Sequence, residues 1–342
     1  MTGIYFAGNF LSKSTGVVGV NETLAEKFSH SNWQIVTASK YKNRILRMAD
    51  FLLTAFLNRK YYNFAVLEVY SFLAFRWVEL LCVLLRRLDK PYILSLHGGR
   101  LPEFAQAEPV RFKNLLQSAS KVTTPSILLK NTFSTIRDDI AYIPNGIDID
   151  QYPFRLIIDP EPHLIWMRAF HAIYNPKMAI NVLNLLQKKS PNSKLLMIGP
   201  NSGDGSFESL RKLIDYYRLS EKVNLTGAVP KSMIGQVLSQ GNIFLNTTNY
   251  ESFGISLLEA AACGLCNVTT NVGELPYLWK NESEALLVPQ NDPISMSIAV
   301  QRILSEPGLA KKLSINARKK AETFDWSHIL PLWEQLFSEY LV

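Results

Sequence analysis

Cysteine is scarce in this chain of 342 residues, with only Cys82, Cys263 and Cys266 present. That number excludes a disulfide framework and fits a reducing cytosol. Long apolar runs are missing too. No uninterrupted stretch reaches the length of a membrane span, and no signal-peptide pattern precedes the strand-like Ile4 to Phe6. Low-complexity tracts and short-period repeats are absent. So is any recognisable nucleic-acid-binding motif, despite a formal net charge of +7, and nucleic acid is therefore not expected as a partner.

The charge is unevenly spread. Residues 1–100 hold 13 Lys and Arg against 6 Asp and Glu, whereas residues 101–342 hold 23 of each kind. Within the basic part, Lys40, Lys42, Arg44, Arg47, Arg59 and Lys60 flank the apolar Phe51 to Leu57. The pattern suits an anionic membrane surface, or equally a solvated basic face on a core helix.

The chain is longer than one hydrophobic core usually is, so two domains with a cleft between them are expected. Strand and helix patterns alternate through both halves. In the first they run from Ile4 to Phe6, Trp33 to Thr37, Phe64 to Glu68, Tyr92 to Leu96, Val122 to Thr124 and Ala141 to Ile143. In the second they run from Leu164 to Met167, Leu195 to Ile198, Val223 to Leu225, Ile243 to Leu245, Cys266 to Thr270 and Ala285 to Val288. Alternation of this kind predicts an α/β fold of two doubly wound parallel sheets. Asp159 to His163, with its two prolines, reads as the linker. Phe72 to Leu85 reads as a buried helix, too short and too charged at Arg76 and Glu79 to span a membrane.

The most informative stretch is Tyr250 to Thr270. Glu251, Ser252, Phe253 and Gly254 precede an apolar helix that carries a second acid, Glu259, and Gly264 stops that helix before the next strand. Ligands of such sheets bind at the carboxyl ends of the strands, where the free amides of a helix start favour a phosphate. Gly254 lets the backbone come close to it.

Glu251-Ser-Phe-Gly-Ile-Ser-Leu-Leu-Glu259, with Asn271-Val-Gly-Glu-Leu-Pro276, Leu286-Leu-Val-Pro289 and Ile143-Pro-Asn-Gly-Ile-Asp148, resembles the retaining glycosyltransferases of family 4. The resemblance implies the GT-B fold: an acceptor-binding Rossmann-like domain over residues 1–155, a donor-binding one over 156–322, and a last helix over 323–342 that returns to the first. It implies transfer of a hexose-type sugar from a UDP- or GDP-sugar to the hydroxyl of a saccharide or lipid-linked acceptor, in cell-surface polysaccharide or glycolipid assembly. Neither cofactor nor divalent metal is expected, and the place of work would be the cytoplasm or the inner face of its membrane.

Particular positions acquire roles from the same resemblance. Glu251 would contact the donor sugar, and Ser252, Phe253, Gly254 and Ile255 would line the sugar and diphosphate, with backbone amides offered by the last three. Glu259 would take the ribose hydroxyls; it lies five residues past Gly254, about 7 Å along a helix. Arg168 would bind the phosphates and stabilise the leaving group, with Lys177 as second cation. Here Phe170 to Pro176 spaces the two more widely than in relatives, and the usual Lys-Gly pair is Lys177-Met178. Gly199 would border the donor pocket, and the backbone near Gly227 to Pro230 would hold the base. His97, followed by Gly98-Gly99, would lie near the reacting sugar, and Gly16 would approach the phosphates or the acceptor.

Two motifs are better read structurally. Cys263-Gly-Leu-Cys266 lacks a second ligand pair, and Asp148-Ile-Asp150 sits in a turn rather than a metal site. A nucleotide-sugar epimerase on the same fold, or a silent sugar-nucleotide-binding protein, would use the same phosphate grip. Incubation of donor without acceptor separates the epimerase, which alone converts the sugar.

Overall fold

The computed structural model describes residues 2–12, 18–30 and 33–340. The chain divides into two compact units, one made of Met1–Asn145 with Ile329–Val342 and the other of Gly146–His328.

In the first unit, β1 (Gly3–Ala7), α1 (Val20–Ser29), β2 (Gln34–Ala38), α2 (Arg44–Leu57), β3 (Phe64–Val69), α3 (Leu73–Arg87) and β4 (Tyr92–Leu96) follow in turn. Then come α4 (Leu101–Ala107), α5 (Pro109–Ser118), β5 (Lys121–Thr124), α6 (Ile127–Phe133) and β6 (Ala141–Tyr142). The strands form one parallel sheet in the order β2-β1-β3-β4-β5-β6. Helices cover both faces, so β1, β3 and β4 are buried along their whole length, which is why they read as continuous apolar runs. Tyr5, Leu67 and Leu94 pack among Phe51, Phe75 and Leu81 on one face. On the other, Phe6, Phe28 and Phe64 meet Phe337, which arrives from the far end of the chain.

The second unit continues with β7 (His163–Met167), α7 (Pro176–Leu186), β8 (Lys194–Ile198), α8 (Ser206–Tyr216), β9 (Val223–Gly227), α9 (Ile234–Leu238), β10 (Ile243–Asn246) and α10 (Ile255–Ala262). After them stand β11 (Cys266–Thr270), α11 (Leu275–Leu278), β12 (Leu286–Val288), α12 (Pro293–Ser305) and α13 (Leu309–Glu322). The last helix, α14 (Trp326–Ser338), leads into the segment that belongs to the first unit. The second sheet is again parallel, ordered β12-β11-β10-β7-β8-β9.

Helix α10 begins after Gly254, whose φ is +96°, and ends at Gly264, whose φ is +85°. The Gly264 amide donates to Ala261 O at 2.9 Å and that of Leu265 to Ala260 O at 3.1 Å, a left-handed glycine cap. A Cβ on Gly264 would stand 2.4 Å from the Arg155 carbonyl.

The two compact units divide between Asn145 and Gly146. Ile147 donates to Phe324 O at 2.9 Å and accepts from Trp326 N at 3.0 Å, and Tyr152 is buried with the second core, so long-range bonds bind this segment to the second unit. Helix α3 is not buried all round: Leu73, Leu80 and Val83 are exposed. An apolar stretch looks the same in sequence whether or not its outer face is covered.

Gly146 lies where a Cβ would meet the Trp326 ring at 2.6 Å. Gly146→Ala should therefore destabilise the second unit by about 1–3 kcal/mol, the usual cost of overpacking, and Gly146→Ala with Trp326→Leu should recover part of it. Denaturant melts of the three proteins test this.

Candidate functional site

The second sheet starts on β7, builds outward through β8 and β9, and then returns to β7's other side with β10. The reversal opens a crevice at the carboxyl ends of β7 and β10, the place where open α/β sheets bind ligands. Arg168 follows β7 and Glu251 follows β10, so the topology brings them together. Arg168 Nη2 pairs with Glu251 Oε2 in a largely buried ion pair. Glu251 Oε1 also accepts from the Ser252 amide at 3.2 Å and the Phe253 amide at 3.4 Å. The guanidinium lies 5.2 Å from the Tyr174 ring centroid, and its Nε is buried with no hydrogen-bond partner. An unspent donor beside first-turn amides is an arrangement that can receive anionic oxygens. The Ser256 hydroxyl at the same helix start is likewise buried and unbonded.

Glycines let the backbone close around this pair. A Cβ on Gly199, whose φ is +148°, would stand 1.8 Å from the Arg168 carbonyl oxygen. A Cβ on Gly273, whose φ is +56°, would stand 2.1 Å from the Glu251 carbonyl oxygen, which accepts from the Glu274 amide at 3.0 Å. The Asn271 to Pro276 block is thus the clasp that holds the Glu251 loop. Gly227 ends β9 and accepts from the Gly199 amide at 2.9 Å, so the ends of β7, β8 and β9 stand together.

Glu259 is buried on α10 and does not join the pair at β7. Its Oε1 accepts from the Tyr152 hydroxyl at 2.8 Å and pairs with Lys231. Burial and the Glu259 charge push the Tyr152 phenol far above its usual range. Tyr152 and Lys231 are functional candidates that the sequence reading missed. The available signal was Lys231's place directly after the Gly227 to Pro230 segment expected at the base.

Lys177 lies at the exposed start of α7 with no ion pair among the described residues. It borders a cavity of about 370 Å³ with Asn175, Asp204 and Ser206. Amide hydrogen bonds from Ala172 and Ser206 hold the Asp204 carboxyl well below its ordinary range. The structure thus gathers Arg168, Gly199, Glu251, Ser252, Phe253 and Gly254 in one place and leaves Lys177 at the neighbouring start of α7. Cys263 and Cys266 are separately buried, their sulfurs directed at Gly235 O and Ala310 O, and burial pushes both thiols up to about 12.

In the first unit, His97 directly follows β4 and is buried. Its Nε2 lies 2.8 Å from the Ser95 hydroxyl, and burial lowers its pKa to about 4, so the ring is neutral near pH 7. Glu68, near the end of β3, is buried. It accepts from the amides of Asn9 at 3.1 Å and Asn21 at 3.2 Å, and burial raises its carboxyl to about 7. The Gly16 loop lies outside the described residues.

A profile of the family described as glycosyl transferases group 1 matches residues 148–320. Among curated proteins, the chain is 28% identical over 251 residues to a phosphatidylinositol N-acetylglucosaminyltransferase subunit of Arabidopsis thaliana, covering 72% of this chain and 53% of that one. It is 25% identical over 251 residues to the D-inositol 3-phosphate glycosyltransferase of Rhodococcus jostii, covering 69% and 56%. The chain thus spans about half the length of these relatives. Among solved structures, a sucrose-phosphate synthase from Thermosynechococcus elongatus superposes with a TM-score of 0.82 at 17% identity, covering 99% of both chains. HepE from Anabaena, solved with UDP and glucose, gives 0.79 at 17% identity over 99% of this chain and 100% of that one. These likenesses identify the two sheets as the GT-B fold.

His97 and Glu68 set opposite pH slopes. A histidine whose folded pKa is depressed from 6.5 to about 4 costs stability as pH falls through that window. A carboxyl raised from 4.5 to about 7 costs stability as pH rises through its own. The slopes cancel where the windows overlap. Glu68→Gln should therefore uncover a loss toward acid pH and His97→Asn a loss toward neutral pH, each about 1.4 kcal/mol per pH unit at most. Urea melts from pH 4.5 to 6.5 read both; unchanged profiles in the two variants contradict the assignment.

Proposed function

The chain belongs to the group 1 glycosyl transferases, and on that premise we propose that it moves a hexose-type sugar from a nucleoside diphosphate to an acceptor hydroxyl with retained configuration, as a member of family 4. The observation that carries this reading is the Arg168 and Glu251 pair at the crevice between β7 and β10. Donor binding would exchange that internal pair for two external ones. The diphosphate takes the guanidinium and the α10 amides, while the sugar hydroxyls donate to the freed carboxylate. Glu259, with Lys231 beside it, receives the ribose. The likeness to HepE, solved with UDP and glucose, supports UDP as the nucleotide.

In the transfer, the bond from the anomeric carbon to the diphosphate oxygen breaks and its electron pair stays on the diphosphate. Arg168 stabilises that charge as it grows. The acceptor oxygen bonds to the same face of the sugar, and its proton passes to a phosphate oxygen. No carboxylate becomes covalently attached and no divalent metal enters the scheme.

The acceptor in this reading is a saccharide or lipid-linked molecule used in cell-surface polysaccharide or glycolipid assembly, at the cytoplasmic face of an anionic membrane. Helix α2 supports the membrane surface. Ile45, Leu46, Leu53, Phe56 and Leu57 are all exposed on it, Ile45 at 80%, and exposed Lys40, Lys42, Arg44 and Lys60 border them. An apolar row with cations at its edges binds the interface of an anionic bilayer. Among the described residues no helix is long and apolar enough to cross a membrane.

Arg168→Ala and Glu251→Ala should each lower transfer at least about a hundredfold, the scale of losing one transition-state electrostatic contact. Donor turnover by the purified variants, with circular dichroism as folding control, measures this; near-normal rates in both would sink the site. For the membrane reading, the protein should sediment with phosphatidylglycerol vesicles at low salt, and Leu53→Asp with Phe56→Asp should abolish it. Equal recovery with neutral phosphatidylcholine vesicles, or none with either, counts against the anionic surface.

A further inference from the structure

The first sheet has its own point of reversal. In the order β2-β1-β3-β4-β5-β6, the chain builds to one side of β1 and then resumes on the other with β3. The carboxyl ends of β1 and β3 carry Gly8, Asn9, Glu68 and Tyr70, and a cavity of about 190 Å³ opens there between α2 and α3. Open α/β sheets bind ligands at such a point.

The cavity has two kinds of wall. Phe51, Leu67, Trp77, Val78 and Leu81 make most of it apolar. Apolar cavities of about 150 Å³ admit a guest as large as benzene, so this one has room for a short hydrocarbon segment. Arg47 makes the other wall. It is half-buried, and its guanidinium donates to the Tyr41 carbonyl at 2.9 Å and to Asn9 Oδ1 at 2.8 Å, both neutral oxygens. Among the described residues no carboxylate pairs with it. The nearby Glu68 carboxyl is engaged by the Asn9 and Asn21 amides, and its burial favours the neutral form. Burial lowers the Arg47 pKa and the Glu68 charge offsets this only in part, so a half-buried cation without an ion-pair contact gains from an anionic group that completes it.

We infer that the cavity between α2 and α3 is a binding site for one molecule of an anionic amphiphile, a hydrocarbon chain ending in a phosphate. The chain lies among Phe51, Trp77 and Leu81, and the phosphate takes the free edge of Arg47, whose planar fork suits phosphate oxygens. The site is separate from the Arg168 and Glu251 pair and does not depend on the donor reading.

Calorimetry with n-octyl phosphate below its micelle concentration, against n-octanol and inorganic phosphate, tests the site without any transfer reaction. The wild-type protein should bind octyl phosphate at least about tenfold more tightly than either comparator, the factor expected of a hydrogen bond to a charged group. Arg47→Gln should bring octyl phosphate down to the level of octanol. Ala74→Phe, which fills the cavity from α3, should abolish binding of both, with Ala74→Leu as the smaller filler should the first fail to fold. Equal affinity of the wild type for octanol and octyl phosphate would overturn the inference. So would undiminished binding by the folded filled variants, which would mark adsorption to the exposed apolar rows instead.

Discussion

Arg168 and Glu251 stand 83 residues apart in the chain and meet because β7 and β10 are neighbours in the sheet. Burying two opposite charges is tolerable only while both are present; removal of one leaves the other stranded at a cost of about 3–5 kcal/mol. Much of the second unit's irregular backbone serves that meeting. Gly199 brings the end of β8 against Arg168, and Gly273 and Glu274 grip the carbonyl of Glu251. Strand order, glycine placement and the buried pair are thus one constraint seen at three levels. The same constraint makes the site responsive, since an ion pair satisfied internally can be exchanged for contacts to a ligand of matching charge.

The two units solve a shared problem differently. Each leaves polar groups where its sheet reverses, but the second fills the place with a matched cation and anion. The first leaves Arg47 among neutral oxygens and Glu68 under amides. A matched pair suits a ligand carrying both acceptor and donor groups, such as a phosphate joined to a sugar. An unmatched cation beside apolar walls suits a ligand with one charge and a greasy end.

Much of this was legible in the sequence because parallel strands buried on both faces leave apolar runs of fixed length between turn residues. Tyr92–Leu96 and Cys266–Thr270 fall where those runs place them. Glu251 and Glu259 were legible through the helix start and stop that enclose them. Partners contributed by distant segments were not. Nothing around Tyr152 marks it as a neighbour of Glu259, and Lys231 has only its place after the segment expected at the base, since that contact follows from how α10 lies over the turn after residue 148 and the loop after β9. The division at Asn145 likewise rests on distant partners, being set by bonds from Ile147 to Phe324 and Trp326. Local pattern records which face of an element is apolar, and it is silent about what comes to cover that face. The outward rows on α2 and α3 are the clearest instance.

Phe337 packs against Phe6, Phe28, Trp33 and Phe64, residues synthesised long before it. As the ribosome extends the chain, the first unit therefore waits with an aromatic socket unfilled. The second unit, whose segments all lie between Gly146 and His328, has everything it needs beforehand. Vectorial synthesis ordinarily favours the N-terminal domain as the first to finish. In this chain the order of completion is inverted, and the domain begun first is closed last by the segment that emerges after its neighbour.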